Sequence, residues 1–256
     1  MTVARQLRRL GRCFAASAAL YLVAPAPASG MSADERMRFA DGLYRRGLYE
    51  MAAPEYQSVL SDTNAADARS LAAFRLGECH RSLSNLASAA EAYDTVAREF
   101  PGSASAPRAA FRRAEIDWQE GRLLDGFRRF AKLIASSPPD DIAAASLYHH
   151  GLCAAGIDRY ADAEASFRSL LEKYPASPYA GFARMALANV LEANDGASGE
   201  ILALLEAVLE KPETPALGAE AAARAGLILY REKKTREAAE VFAKLAELYP
   251  DSPWVA

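Results

Sequence analysis

At 256 residues the chain has the length of one or two ordinary domains, and its formal charge of −3 leaves no clustered basic footprint for nucleic acid. Its 51% hydrophobic share is inflated by alanine, as close helix packing requires.

Residues 1–28 stand apart from the rest. Arg5, Arg8, Arg9 and Arg12 make a positive start without an acid, Cys13 to Ala24 is an apolar run, and Ala26-Pro27-Ala28 offers an A-x-A cleavage site. This is the pattern of a secretory signal peptide. The run is far short of the ~20 residues that span a bilayer, and Cys13 precedes it, which a lipoprotein leader would not allow. The expectation is an exported chain, cleaved near Ala28, residing in the periplasm or outside the cell. With the four leader arginines gone, what remains is more acidic.

Ser32-Ala33-Asp34-Glu35 then reads as a capping box opening a first helix. From there a motif recurs with a stride of 37 residues. A small residue stands at Ala40, Gly77, Ala114, Gly151, Ala188 and Gly226, where the last step is 38. Twelve positions on comes a second small residue, at Ala52, Ala89, Gly126, Ala163 and Ala238, with Glu200 as the exception. Four further on stands Tyr56, Tyr93, Phe130, Phe167, Leu204 or Phe242, and Pro101, Pro138, Pro175, Pro212 and Pro250 close five of the units. Two helices approach closely only where side chains are small, the large residue fills the gap towards the next unit, and proline stops the second helix. Ser177-Pro178 and Ser252-Pro253 read as serine N-caps with proline at the first helical position. No alternating strand pattern competes. The expected fold is all-α, a solenoid of six helix-turn-helix units starting near 33, 70, 107, 144, 181 and 219. Asp251-Ser252-Pro253-Trp254 reads as a helix start, so a seventh unit is expected to begin at 252–256, with continuation of the chain or burial of this end in a partner or second copy.

These columns resemble the tetratricopeptide repeat, best in Leu76-Gly77, Ala89, Tyr93, Val96 and Pro101. The usual tryptophan early in the first helix is missing, with Ala73, Ala110 and Leu147 in its place. The long Pro-x-Ser-Pro links are similar to those of bacterial envelope repeat proteins of the Tol–Pal-associated and outer-membrane-assembly type. The resemblance implies a right-handed α-α solenoid whose first helices line a concave groove for protein or peptide partners. It points to a scaffold in cell-envelope assembly or maintenance; the alternative is the N-terminal recognition arm of a larger exported enzyme or secretion machine.

Two groove columns follow from the stride. Met37, Phe74, Phe111, Tyr148 and Met185 form the first, which either packs between units or faces the groove; Tyr44, Arg81, Trp118, Ala155, Glu192 and Tyr230 form the second. Between them Asp41, Glu78 and Glu115 place acid on the first three rungs, which favours a ligand with basic residues beside apolar ones. The expected partner-binding set is Tyr44, Phe74, Glu78, Arg81, Phe111, Glu115, Trp118, Tyr148 and Tyr230. An acidic C-terminus is not the expected ligand, because its clamp needs Lys and Asn and only Asn189 is present. His149, His150 and Cys153 lie close on one helix, but zinc needs further ligands that nothing nearby supplies, so no metal is expected. With no phosphate loop, nucleophile elbow or metalloprotease helix, neither catalysis nor a cofactor is expected. Cys79 and Cys153 are register equivalents two units apart, too far to bridge, and are expected as buried free thiols.

Overall fold

Small residues at fixed intervals let successive helices lie close, and the chain uses them to build paired helices. The structure, a computed structural model, describes residues 30–63 and 66–255; the leader expected at 1–28 lies outside them. The described residues hold twelve helices and no strand, in pairs joined by short turns. They are α1 (Ala33–Arg45) and α2 (Tyr49–Ser61), α3 (Ala66–Ser82) and α4 (Leu86–Glu99), α5 (Ala106–Gln119) and α6 (Leu123–Ala135), α7 (Asp140–Ala155) and α8 (Tyr160–Lys173), α9 (Ala180–Ala193) and α10 (Ser198–Glu210), and α11 (Pro215–Arg231) and α12 (Thr235–Leu248). Each helix packs on its sequence neighbours, and first helices also meet across units, α1 on α3, α5 on α7 and α7 on α9. This is an all-α solenoid in which contacts stay local. No described helix is long and apolar enough to cross a membrane.

The columns sit where packing demands them. Tyr56, Tyr93, Phe130 and Phe167 are completely buried. A Cβ on Gly77 would come within 2.5 Å of the Tyr93 ring, and one on Gly151 within 2.6 Å of the Phe167 ring. A further column appears in the turns: Gly47, Ser84, Gly121, Asp158, Asp195 and Lys233 all take positive φ, between 53° and 76°. Glycine serves only two of these left-handed positions, so residue type does not mark them.

Unit five corrects the expected register. Its turn carries one extra residue after Asp195, since α10 starts at Ser198, one position later relative to the left-handed residue than the second helix of every other unit. Ile201, Leu205 and Val208 therefore take the buried positions, in place of Glu200 and Leu204. Glu200 faces outward and meets Arg168 at 2.6 Å; Leu204 is only half-buried. The serine-proline links differ as well. Ser177 Oγ accepts the Tyr179 N–H at 3.2 Å and the Ser177 carbonyl accepts the Ala180 N–H at 2.9 Å, forming a turn that precedes α9 rather than capping it directly. Ser252 Oγ accepts the Trp254 N–H at 3.3 Å in the same way, and residues 251–254 form turns instead of the expected helix.

One polar feature lies in the packing itself. Asp117, 1% exposed, receives Arg113 at 2.7 Å, Arg122 at 2.6 Å and Arg129 at 2.9 Å. Arg113 and Arg129 continue to Asp94 on α4, which ties unit two to unit three. Cys79 and Cys153 are both free and buried. Burial pushes each thiol up to about 12, so neither is a thiolate near neutral pH.

Candidate functional site

The first helices carry every expected binding residue, and the structure separates these into packing residues and accessible ones. Met37, Phe74, Phe111 and Met185 are buried, and only Tyr148 of that column is half-exposed. Phe111 lies 5.8 Å from Phe130 and 5.7 Å from His149, between units three and four. Phe74 packs at 5.9 Å on Tyr93.

The acidic rungs have internal partners. Asp41 accepts the Tyr56 hydroxyl at 2.5 Å, and Glu78, itself buried, accepts the Tyr93 hydroxyl at 2.5 Å. Burial first, and then these carboxylates, push both phenols far above their ordinary range. Each acid also meets an arginine of the next unit: Arg75 stands 3.8 Å from Asp41 and Arg112 stands 3.4 Å from Glu78. Arg81 joins Glu78 at 3.5 Å. Glu115, whose own unit has Phe130 in place of a tyrosine, is bound instead by Arg112 at 2.8 Å. These contacts form a ladder along units one to three. The sequence held a sign of it, because Asp41 and Glu78 are the acids whose units carry Tyr56 and Tyr93.

Beyond the ladder the character of the face changes. His149 joins three of the expected residues into one aromatic group: Phe111 at 5.7 Å, Trp118 at 4.8 Å and Tyr148 at 5.4 Å. Tyr179 and Phe182 extend it, at 5.2 and 6.4 Å from Tyr148. Beside this group lies a cavity of about 550 Å³, between α5, the first turns of α7 and the link into α9. Ala144 and Ala145 line it on α7, Phe111 lines it on α5, and Tyr174 and Tyr179 line it on the link. Its charged lining is Arg108, Arg112, Lys173, Asp140 and Asp141, with Arg108 and Asp141 paired at 3.4 Å. Apolar walls with a few charges, at this volume, suit a bulky side chain or small ligand. The remaining expected residues lie apart from it. Tyr44 packs on Tyr49 at 5.2 Å under Arg75, and Tyr230 stands 63% exposed on α11 beside Leu227. Sequence reasoning missed Tyr174 and Tyr179, which sit in the link, and Ala144 and Ala145, whose smallness reads as packing. Among the described residues no group of three or more His, Cys, Asp or Glu side chains could hold a metal ion.

Comparison with known proteins agrees with this architecture. A tetratricopeptide repeat model matches residues 37–104, and a second model of that name matches 145–177 and 220–252, together more than half of the chain. No curated protein sequence matches. Among solved structures, the C-terminal part of a repeat-containing protein from Cytophaga hutchinsonii superposes with TM-score 0.71 at 17% identity, covering 88% of this chain and 86% of that one. PilW, described as a type IV pilus biogenesis factor, gives 0.62 at 18% identity, covering 87% and 96%. YrrB, described as having an unusual peptide-binding site, gives 0.57 at 19% identity, covering 72% and 89%. With the column spacing, the paired helices and the two family matches all in agreement, the chain belongs to the tetratricopeptide repeat family.

Proposed function

We propose that this chain is an exported scaffold of the cell envelope that binds extended segments of partner proteins on the face of its first helices, and that it is not an enzyme. The cavity beside Ala144 and Ala145 carries the reading, since it is an apolar recess on the helix face that repeats of this family present to partners. The occupant it suits is a bulky apolar side chain. The acids of units one to three contribute little to a basic ligand, because tyrosine hydroxyls and arginines already occupy them. Export is supported by the leader pattern of residues 1–28 and an envelope role by the likeness to PilW. On this reading, mass measurement of the protein recovered from a Gram-negative periplasm gives a chain beginning at Ser29; an intact leader there rejects the proposed cleavage.

The binding half is tested with a displayed library of random peptides. Sequences enriched on the wild type are expected to share an aromatic or long aliphatic residue. Ala145→Trp, which fills the cavity, should weaken them by roughly tenfold or more, and Trp118→Ala, which removes a half-buried aromatic, by about 1–3 kcal/mol. Melting temperatures close to that of the wild type are expected for both variants and check that they stay folded. Peptides that bind Ala145→Trp as tightly as wild type place the site elsewhere, with Leu227 and Tyr230 on α11 as the next candidate face.

A further inference from the structure

In the register of the first helices, His149 occupies the position held by Arg75 in unit two and Arg112 in unit three. It is 6% exposed, and its Nδ1 is buried without a hydrogen-bond partner. Around it stand Phe111, Arg112, Glu115 and Trp118 from α5, Phe130 from α6, Tyr148 from α7 and Tyr179 from the link before α9. Its neighbour His150 is half-buried on another side of the same helix. It stacks on Phe127 at 4.3 Å, with Arg159 over that same ring at 4.6 Å. The Ser166 hydroxyl donates to the Asp162 carbonyl at 2.6 Å, so towards His150, 2.8 Å away, it acts as acceptor. The proton of neutral His150 therefore sits on Nδ1, and its buried Nε2 is a bare lone pair with no partner.

We infer that α7 is an acid-sensitive catch: protonating His149 and His150 releases it from α6 and α8 and takes apart the wall of the cavity it helps to form. A second proton on either ring would create a buried charge, and on His150 a new N–H with nothing to accept it. Burial holds both histidines below their ordinary value. Glu115 and Asp162 oppose this, while Arg112 and Arg159 add to it. Glu115 is itself neutralised by Arg112 at 2.8 Å. The direction of the pH dependence follows. The contribution of a histidine with a depressed folded value is complete above about 6.5, its unfolded value, and is lost as pH falls through the folded value. Phe111 and Tyr179 line the cavity and also touch His149, so opening α7 removes the pocket's shape.

The bearing on ligand binding rests on the function proposed above; the test does not, because it follows α7 with no ligand present. Cys153 lies on α7 and its sulfur faces Gly126 of α6, where a Cβ would come within 3.1 Å of it. Cys79 is its register equivalent on α3, also fully buried, and serves as the internal reference. Labelling with dithiodipyridine, an aromatic disulfide that remains reactive in acid, is followed by mass spectrometry on the full chain. The Cys153 rate relative to Cys79 should rise at least tenfold between about pH 7 and about pH 5. His150→Leu, which installs the residue of unit two, combined with His149→Gln, should flatten that rise. Parallel acceleration of both thiols would mean global unfolding and would overturn the inference, as would a Cys153 rate that stays flat or a rise that survives in the double variant.

Discussion

Asp117→Ala is expected to destabilise the protein by about 3 kcal/mol, towards the lower end for loss of one partner from a buried ion cluster. The carboxylate is 1% exposed and holds Arg113, Arg122 and Arg129. Arg122 and Arg129 have side chains 42% and 44% exposed, so both can swing into water, and their share of the loss is small. Arg113, 14% exposed, cannot, and is left a buried cation with only Asp94 at 3.1 Å. The double variant Asp117→Leu with Arg113→Leu should therefore regain much of the loss, because replacing a buried pair by apolar side chains is often close to neutral. Urea unfolding of the two singles and the double gives the coupling. A double that loses the sum of the singles would show that the cluster is not acting as a unit. Burial, the largest single influence, raises the carboxyl, but the hydrogen bonds and charges of Arg113 and Arg122 together lower it, and it ends below its ordinary value. Its contribution is thus intact above about pH 3.9 and fades only as pH falls through the lower folded value. Acid weakening nearer to pH 6 belongs to the two histidines of α7.

Asp117 also illustrates what the sequence conceals. Its position in the other units is held by Leu43, Ala154, Leu191 and Leu229, all buried, and by His80. An acid in an apolar column looks like a surface residue when read in one dimension, because its arginines come from α5, the following turn and α6. The steric columns were legible for the opposite reason. A small residue facing an aromatic across a helix crossing leaves the same mark in every unit, as Gly77 with Tyr93 and Gly151 with Phe167 do. The slip in unit five was half-visible. Glu200 in a small-residue column marked the misfit, but its cause, an extra residue after the left-handed Asp195, lies in backbone geometry. The left-handed column itself escaped notice because Ser84, Asp158 and Lys233 share no side-chain property.

The candidate site was legible in part. The stride placed the expected residues on the first helices, and Phe111, Trp118 and Tyr148 do converge, through His149. The acids were harder to interpret. Whether Glu78 faces a ligand or a tyrosine depends on a residue fifteen positions away on the next helix, and the Tyr93 hydroxyl at 2.5 Å settles its partner. A cavity is harder still, since it is formed by what Ala144 and Ala145 do not fill.

The tightest helix crossings provide the second large effect, and its size should depend on the unit. Gly151→Ala places a Cβ within 2.6 Å of the Phe167 ring, and Gly226→Ala places one within 2.6 Å of the Phe242 ring. The local clashes are equal, but the rings differ in freedom. Phe167 is fully buried between units four and five, so relief requires moving its neighbours. Phe242 on α12 is only partly buried and can turn outward. Overpacking of a fixed core typically costs 1–3 kcal/mol, so Gly151→Ala is expected to cost about 2–3 kcal/mol and Gly226→Ala under about 1 kcal/mol. The chain itself suggests the compensation. Unit five combines Ala188 with Leu205 at these two positions, both fully buried. Gly151→Ala with Phe167→Leu reproduces that pair in unit four, and the double should lose about 1–2 kcal/mol less than the sum of the singles. Denaturant midpoints of the four variants measure this. Equal losses at Gly151 and Gly226 would show that backbone entropy, not the ring opposite, governs the column.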